Sequence, residues 1–153
     1  MRTGDGKKEM TAQVPRVSIV VPTYNAEKTI GPLLESLLAL DYDNCDVIVV
    51  NDGSTDGTRA ILGTYSVKVI DQPNRGASAA RDAGLRAASN EIVAYVDSDV
   101  AVTRDWLRHL VQPFSDPTVA ATTGQTVFLR NDKCSSWMRS LDIARRNARS
   151  GSY

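Results

Sequence analysis

The sequence predicts an α/β fold whose strands form a mainly parallel sheet. Two observations carry that prediction. Apolar, β-branched runs recur at Val17–Val21, Val47–Val50, Val67–Ile70 and Ile92–Val96, with a looser fifth around Val119–Leu129. Runs without polar alternation suit strands covered on both faces. Successive runs begin about 20–30 residues apart, which leaves room for one helix in each crossover.

Taken in chain order, residues 1–15 are polar and without periodicity, and read as a flexible N-terminal tail. After the first run, Ile30, Leu33, Leu34, Leu37 and Leu38 fall at helical spacing and make one apolar stripe. Asn25 is placed to cap that helix, with Pro32 in its first turn or at a kink. Asp56 is placed to cap a short helix reaching Leu62. The stretch from Gly76 to Ala88 is a helix of small residues able to lie close against the sheet. Thr103 is placed to cap a helix through Trp106, Leu107, Leu110 and Val111, ended by Pro113, and a last helix is expected from Ser135 to Arg149.

The chain has 153 residues, 42% hydrophobic and 24% charged, as expected of one soluble globular domain. A chain of this length buries roughly 68–70% of its unfolded surface, so a core forms without disulfide or metal staples. Lysine plus arginine and aspartate plus glutamate are 18 each, a balance that argues against a nucleic-acid binder. The distribution is less even: residues 1–16 carry +2, residues 139–149 carry +3, and the segment between carries −5. An acidic centre that takes an anionic ligand needs a cation between them. No run approaches the 18 or so apolar residues of a membrane span and no signal-type apolar segment opens the chain, so the expected location is cytoplasmic, at most the cytoplasmic face of a membrane. Cys45 and Cys134 are too few for a disulfide scaffold and are not spaced as metal ligands. Trp137, Met138, Leu141 and Ile143, with the arginines around them, make either a short basic amphipathic face for a membrane surface or lipid-linked acceptor, or a solvated helix end.

In open parallel sheets, ligands bind beyond the carboxyl ends of the strands, so the polar residues there are the candidates. They are Pro22–Asn25, Asn51–Gly57, Asp71–Gly76 and Asp97–Asp99. If the backbone stays extended past Val96, Asp97 and Asp99 project to one face and converge on one ion. Two carboxylates suit Mg2+ or Mn2+ completed by water and a diphosphate. The alternative is a pair of loop and cap aspartates. Asp52 can accept hydrogen bonds from a pyrimidine imide or a ribose, or simply form a turn with Gly53. Arg75 and Arg81 offer forked donors to phosphate, although Arg81 inside a helix is equally an exposed surface arginine. The sole histidine, His109, falls in a predicted helix away from the strand ends, which disfavours a Ser-His-Asp hydrolase.

The strings VSIVVPTYNAE, VIVVNDGSTDGT, NRGASAARDAG and EIVAYVDSD resemble, in order and spacing, the family 2 glycosyltransferases of the GT-A fold. The resemblance covers residues 17–99 closely and 100–130 loosely. It implies a mostly parallel, Rossmann-like sheet flanked by helices that binds a nucleoside-diphosphate sugar and a divalent metal. It places Thr23, Tyr24, Asn25 and Asp52 around the nucleoside, Arg81 near the base or diphosphate, Asp97 near ribose or ion, and Asp99 on Mn2+ or Mg2+. Residues 16–130 would then be the nucleotide-sugar-binding domain, and 131–153 a C-terminal helix opening the acceptor side. Two departures stand out: Asn51 where aspartate is frequent, and Asp82, beside Arg81, where asparagine is frequent. The implied reaction is a one-step inverting displacement in which an acceptor hydroxyl, activated by a general base, attacks the anomeric carbon. Asp132 and Asp142 lack the family's context for that base, which is expected beyond Tyr153, so donor binding with poor transfer is the expectation. A glycan, a lipid-linked sugar or a small molecule is the implied acceptor, and an uncovered sheet edge allows pairing with a second copy. The competing readings are a non-catalytic nucleotide-sugar-binding module and a nucleotidyltransferase-like protein. A dehydrogenase is excluded because no G-x-G-x-x-G follows a strand.

Overall fold

A computed structural model describes residues 14–124. The expected tail over 1–13, the helix from Ser135 to Arg149, Cys134, Asp132 and Asp142, and the end of the fifth apolar run lie outside the described residues.

Four parallel strands form one sheet in the order β3-β2-β1-β4, with β1 at Val17–Thr23, β2 at Cys45–Asp52, β3 at Lys68–Gln72 and β4 at Ile92–Tyr95. All seven residues of β1 are buried, as a central strand covered on both faces requires. The order follows from the connections. Two crossovers carry the chain outward from β1 to β3, and the next returns it over the sheet to the far side of β1. The winding direction therefore reverses between β1 and β4, where the loops leaving the two strands part and open a crevice. The fifth apolar run makes no strand over Val119–Gly124; Asp116 starts a turn there, its carbonyl accepting from Val119.

The helices α1 (Ile30–Leu38), α2 (Thr58–Leu62), α3 (Ala77–Ala87) and α4 (Trp106–Val111) complete the unit, with a 3₁₀ turn over Gln112–Ser115. The apolar stripe of α1 is buried at Ile30, Leu33, Leu34 and Leu37 and packs on Val17, Ile19, Val21 and Val49. Leu38, predicted to share the stripe, is 56% exposed. Asn25 is not the cap: Thr29 precedes the helix, and Pro32 lies in the first turn, where its missing N–H costs no helical hydrogen bond. Asp56 does serve the start of α2, its carboxylate accepting from the Thr58 N–H at 3.0 Å. Asp105, not Thr103, directly precedes α4, and Pro113 sits in the 3₁₀ turn that prolongs it. Among the described residues no helix is long and apolar enough to cross a membrane.

The helix α3 lies on the opposite face of the sheet, against β1 and β2. Small residues make this approach possible. Ala80 and Gly84 are buried, and a Cβ at Gly84 would stand 2.2 Å from Val20 Cγ1. Gly84→Ala should therefore lower stability by about 1–3 kcal/mol through overpacking. Denaturant titration checks this, and adding Val20→Ala should recover part of the loss by vacating the contested space.

Candidate functional site

The carboxyl ends of β1, β2 and β4 surround an open cleft of about 760 Å³. It is lined by Thr23 at the end of β1, Tyr24 and Asn25 from the loop that follows, Asp52 from β2, Arg81 from α3, and Asp97 and Asp99 after β4. These sequence-predicted residues thus reach one cavity, whereas Arg75, also singled out as a phosphate donor, is not in its lining. Asn74, Ala77 and Ser98 join them without having been singled out individually. His109 lies outside the lining, exposed on α4 and 3.5 Å from Asp105.

Thr23 is 2% exposed, and its Oγ1 is, among the described residues, the buried side-chain oxygen left without a hydrogen-bond partner. An orphaned buried hydroxyl costs about 1–3 kcal/mol, so a polar partner supplied from the cleft would be favourable there. Tyr24 stands beside it, 49% exposed at the mouth. Asn25 adopts φ 48°, a left-handed conformation that asparagine tolerates better than most residues. Its Oδ1 accepts from the Thr55 N–H at 2.8 Å, and its own N–H donates to Ser54 Oγ at 3.0 Å. The side chain read as a helix cap instead ties the first loop to the second.

Asp52 is 2% exposed and organises the third loop. Its Oδ1 accepts from Gln72 Nε2 at 2.7 Å and the Arg75 N–H at 2.9 Å, and its Oδ2 from the Gly76 N–H at 2.8 Å. Burial alone would push its pKa up. The Gln72 amide, the two backbone N–H groups and the Arg75 charge outweigh burial and hold it below the ordinary carboxylate range. Gly53, at φ 72°, lets the second loop run against the third: a Cβ there would meet Asn74 N at 2.7 Å. Arg75 reaches Asp52 through its backbone N–H, and its guanidinium is not part of the cleft lining.

Arg81 Nη2 donates to Asp97 Oδ1 at 2.7 Å across the cleft. Asp82, next to Arg81 in sequence, pairs instead with Arg86 one helical turn on, at 3.0 Å. Beyond β4 the backbone does not stay extended: the Asp97 carbonyl accepts the Val100 N–H at 3.2 Å, closing a turn. Asp97 and Asp99 therefore reach the cleft from a turn rather than from one face of a strand. Among the described residues the Asp99 carboxylate makes no ion pair, and no three His, Cys, Asp or Glu side chains gather into a complete cation cage. Of the three cleft carboxylates Asp52 is engaged by three donors, which leaves Asp97 and Asp99, a number that suits Mg2+ or a similar ion whose remaining positions diphosphate and water would fill.

A parallel sheet with polar loops at its reversal point, acidic and basic groups facing across it, is the architecture of an open α/β domain whose ligand crevice lies beyond the carboxyl ends of its strands. The chain belongs to glycosyl transferase family 2, whose family model matches residues 18–151. It is 38% identical over 111 residues to the putative glycosyltransferase EpsH of Bacillus subtilis, covering 69% of this chain and 32% of that protein. It is 31% identical over 127 residues to the glycosyltransferase AglE of Haloferax volcanii, covering 78% and 42%. Among solved structures, the mannosyltransferase PcManGT of Pyrobaculum calidifontis, in complex with GDP-Man and Mn2+, superposes with a TM-score of 0.67 at 34% identity, over 71% of this chain and 34% of that one. TarS 1-349 of S. aureus, in complex with UDP-GlcNAc, gives 0.61 at 31% identity, over 75% and 38%. The fold is the GT-A fold, and the chain spans less than half the length of these relatives.

The Asp52 carboxyl is more acidic in the folded chain than when unfolded, so its contribution to stability is complete above the ordinary carboxylate value of about 3.9 and is lost as pH falls through the lowered folded value. Amide exchange should show the Gly76 N–H losing protection in that acid range while Val49 in the sheet stays protected. Asp52→Asn should abolish this acid step and destabilise by about 1–3 kcal/mol, because an amide cannot accept all three donors.

Proposed function

We propose that the cleft binds a nucleoside-diphosphate sugar together with Mn2+ or Mg2+, and that the protein transfers the sugar to an acceptor hydroxyl with inversion. The orphaned Thr23 Oγ1 carries the reading, since it is a buried polar atom waiting for a partner between an aromatic ring and a set of charged groups. The hydroxyl pairs with a polar edge of the base, and the Tyr24 ring offers a face for stacking. Asp52 Oδ2 takes a single donor and retains a lone pair for a base imide or ribose hydroxyl. Arg81 supplies forked donors to the diphosphate. Its pair with Asp97 is half-exposed, so it holds by no more than about 1 kcal/mol and exchanges readily. Asp97 and Asp99 hold the ion, which when bound neutralises the charge developing on the departing diphosphate. GDP-Man with Mn2+ in one structural neighbour and UDP-GlcNAc in another support this ligand class.

Calorimetry with UDP, GDP and dTDP, with and without Mn2+, tests the proposal. At least one nucleotide should bind, and omission of metal or Asp99→Ala should weaken it tenfold or more, as loss of a charge-assisted contact requires. A folded chain that ignores all three in the presence of Mn2+ removes the donor-site reading. An unchanged titration in Asp99→Ala removes the metal role. Thr23→Val should weaken nucleotide binding by about tenfold while leaving the denaturation midpoint equal or higher, because it deletes an oxygen that is unpaired without ligand.

A further inference from the structure

Asn51 lies at the root of a hydrogen-bonded chain that ends in the cleft. Asn51 on β2 is 5% exposed and in register with Thr23 on β1 and Asp71 on β3. Its Nδ2 donates to Asp71 Oδ1 at 2.8 Å, and Arg59 Nε donates to Asp71 Oδ2 at 2.9 Å. With its amide so oriented, Asn51 Oδ1 accepts from the Ser54 N–H at 3.2 Å. Ser54 Oγ then accepts from the Asn25 N–H, and Asn25 Oδ1 accepts from Thr55. The last link is the residue at φ 48° that carries the backbone on from Tyr24. Asp71 itself is not in the cleft lining.

We infer that Asp71 is a positioning residue for the nucleoside end of the donor: it fixes the Asn51 amide, which through Ser54 and Asn25 sets the loop that carries Tyr24 on from Thr23. The inference rests on the donor-site reading above. Its physical basis is that the amide has two ends. An acceptor on β3 must take the Nδ2 protons for Oδ1 to point at Ser54. Aspartate at position 51 would set two carboxylates face to face on neighbouring strands, which is unfavourable unless one of them changes. Asn51 is thus matched to Asp71, and exchanging the two residue types should preserve the link.

The test compares Asp71→Ala, Asp71→Asn, Asn51→Asp and the exchanged pair N51D/D71N, by affinity for whichever of UDP, GDP and dTDP the wild-type chain binds with Mn2+. Amide exchange at Thr55 and at Val49 is followed in the same proteins. Asp71→Ala and Asn51→Asp should each weaken the nucleotide about tenfold, near the worth of one well-placed hydrogen bond, and deprotect Thr55 while Val49 stays protected. Asp71→Asn, which retains an acceptor for the amide, should lie within about threefold of wild type, and N51D/D71N should recover most of the Asn51→Asp loss, the coupling expected of a directly bonded pair. Asp71→Ala and Asn51→Asp proteins that bind nucleotide as wild type does, or an exchanged pair as weak as Asn51→Asp alone, overturn the inference. So does parallel loss of protection at Thr55 and Val49, which marks a general stability effect. A wild-type chain that binds none of the nucleotides overturns the donor-site reading instead, and exchange at Thr55 still decides whether Asp71 holds the loop.

Discussion

The buried carboxylate of Asp52 is the interaction through which the sheet controls the cleft. It lies at the end of β2, where the strand's own hydrogen bonding stops, and accepts from a side chain on β3 and from two successive backbone N–H groups just before α3. A buried carboxylate without such donors would be expensive, and with them it is a rigid clamp. Its position at the amino end of α3 adds the favourable field of the helix to the direct bonds. Because the clamp fixes where α3 begins, it also fixes Arg81, just over one turn along that helix and facing Asp97.

The other loops are held by comparable lacing. The loop after β1 and the loop after β2 exchange bonds through Asn25, Ser54 and Thr55 on one side, and through Glu27, Asp56, Gly57 and Thr58 on the other. Glu27 accepts from the Gly57 N–H, while Asp56 accepts from the Glu27 N–H, so each acidic side chain is held by the other's loop. These bonds are mostly exposed and individually weak, but together they prevent independent motion of the two loops. Glu27 and Asp56 are thereby engaged in holding the loops, and neither adds an unengaged carboxylate to the cleft.

This explains what was legible in the chain and what was not. The strands were legible because β1 and β2 lie between helices on both faces, so Val47–Val50 reads as an uninterrupted apolar run and Val17–Val21 as one broken only by Ser18. The location of the cleft was legible because it follows from topology: polar residues after buried parallel strands can only meet at one edge of the sheet. The bonding within the cleft was not. Asn25 precedes a helix and has the chemistry of a cap, but its bond to Thr55 depends on a loop 30 residues away. The turn at Asp97–Val100 carries no glycine or proline to announce it. Asn51 was legible as a polar residue ending a buried apolar run, yet its partner required the strand register that puts Asp71 opposite.

The same distinction between topology and pairing bears on how an acidic segment accommodates an anion. Asp52 contributes little repulsion, since three donors already face its two oxygens. Asp97 is offset by Arg81. The remaining uncompensated charge among the described cleft residues is Asp99, exposed at the turn. On the proposed reading, a diphosphate arriving alone would displace Asp97 from Arg81 and leave two carboxylates facing phosphate oxygens. A divalent cation arriving with it turns that repulsion into two attractive contacts, and the exposed Arg81–Asp97 pair gives way at little cost because water already screens it. Metal and diphosphate should therefore bind cooperatively, each weak alone, because the cleft carries the charges to satisfy both together and neither separately.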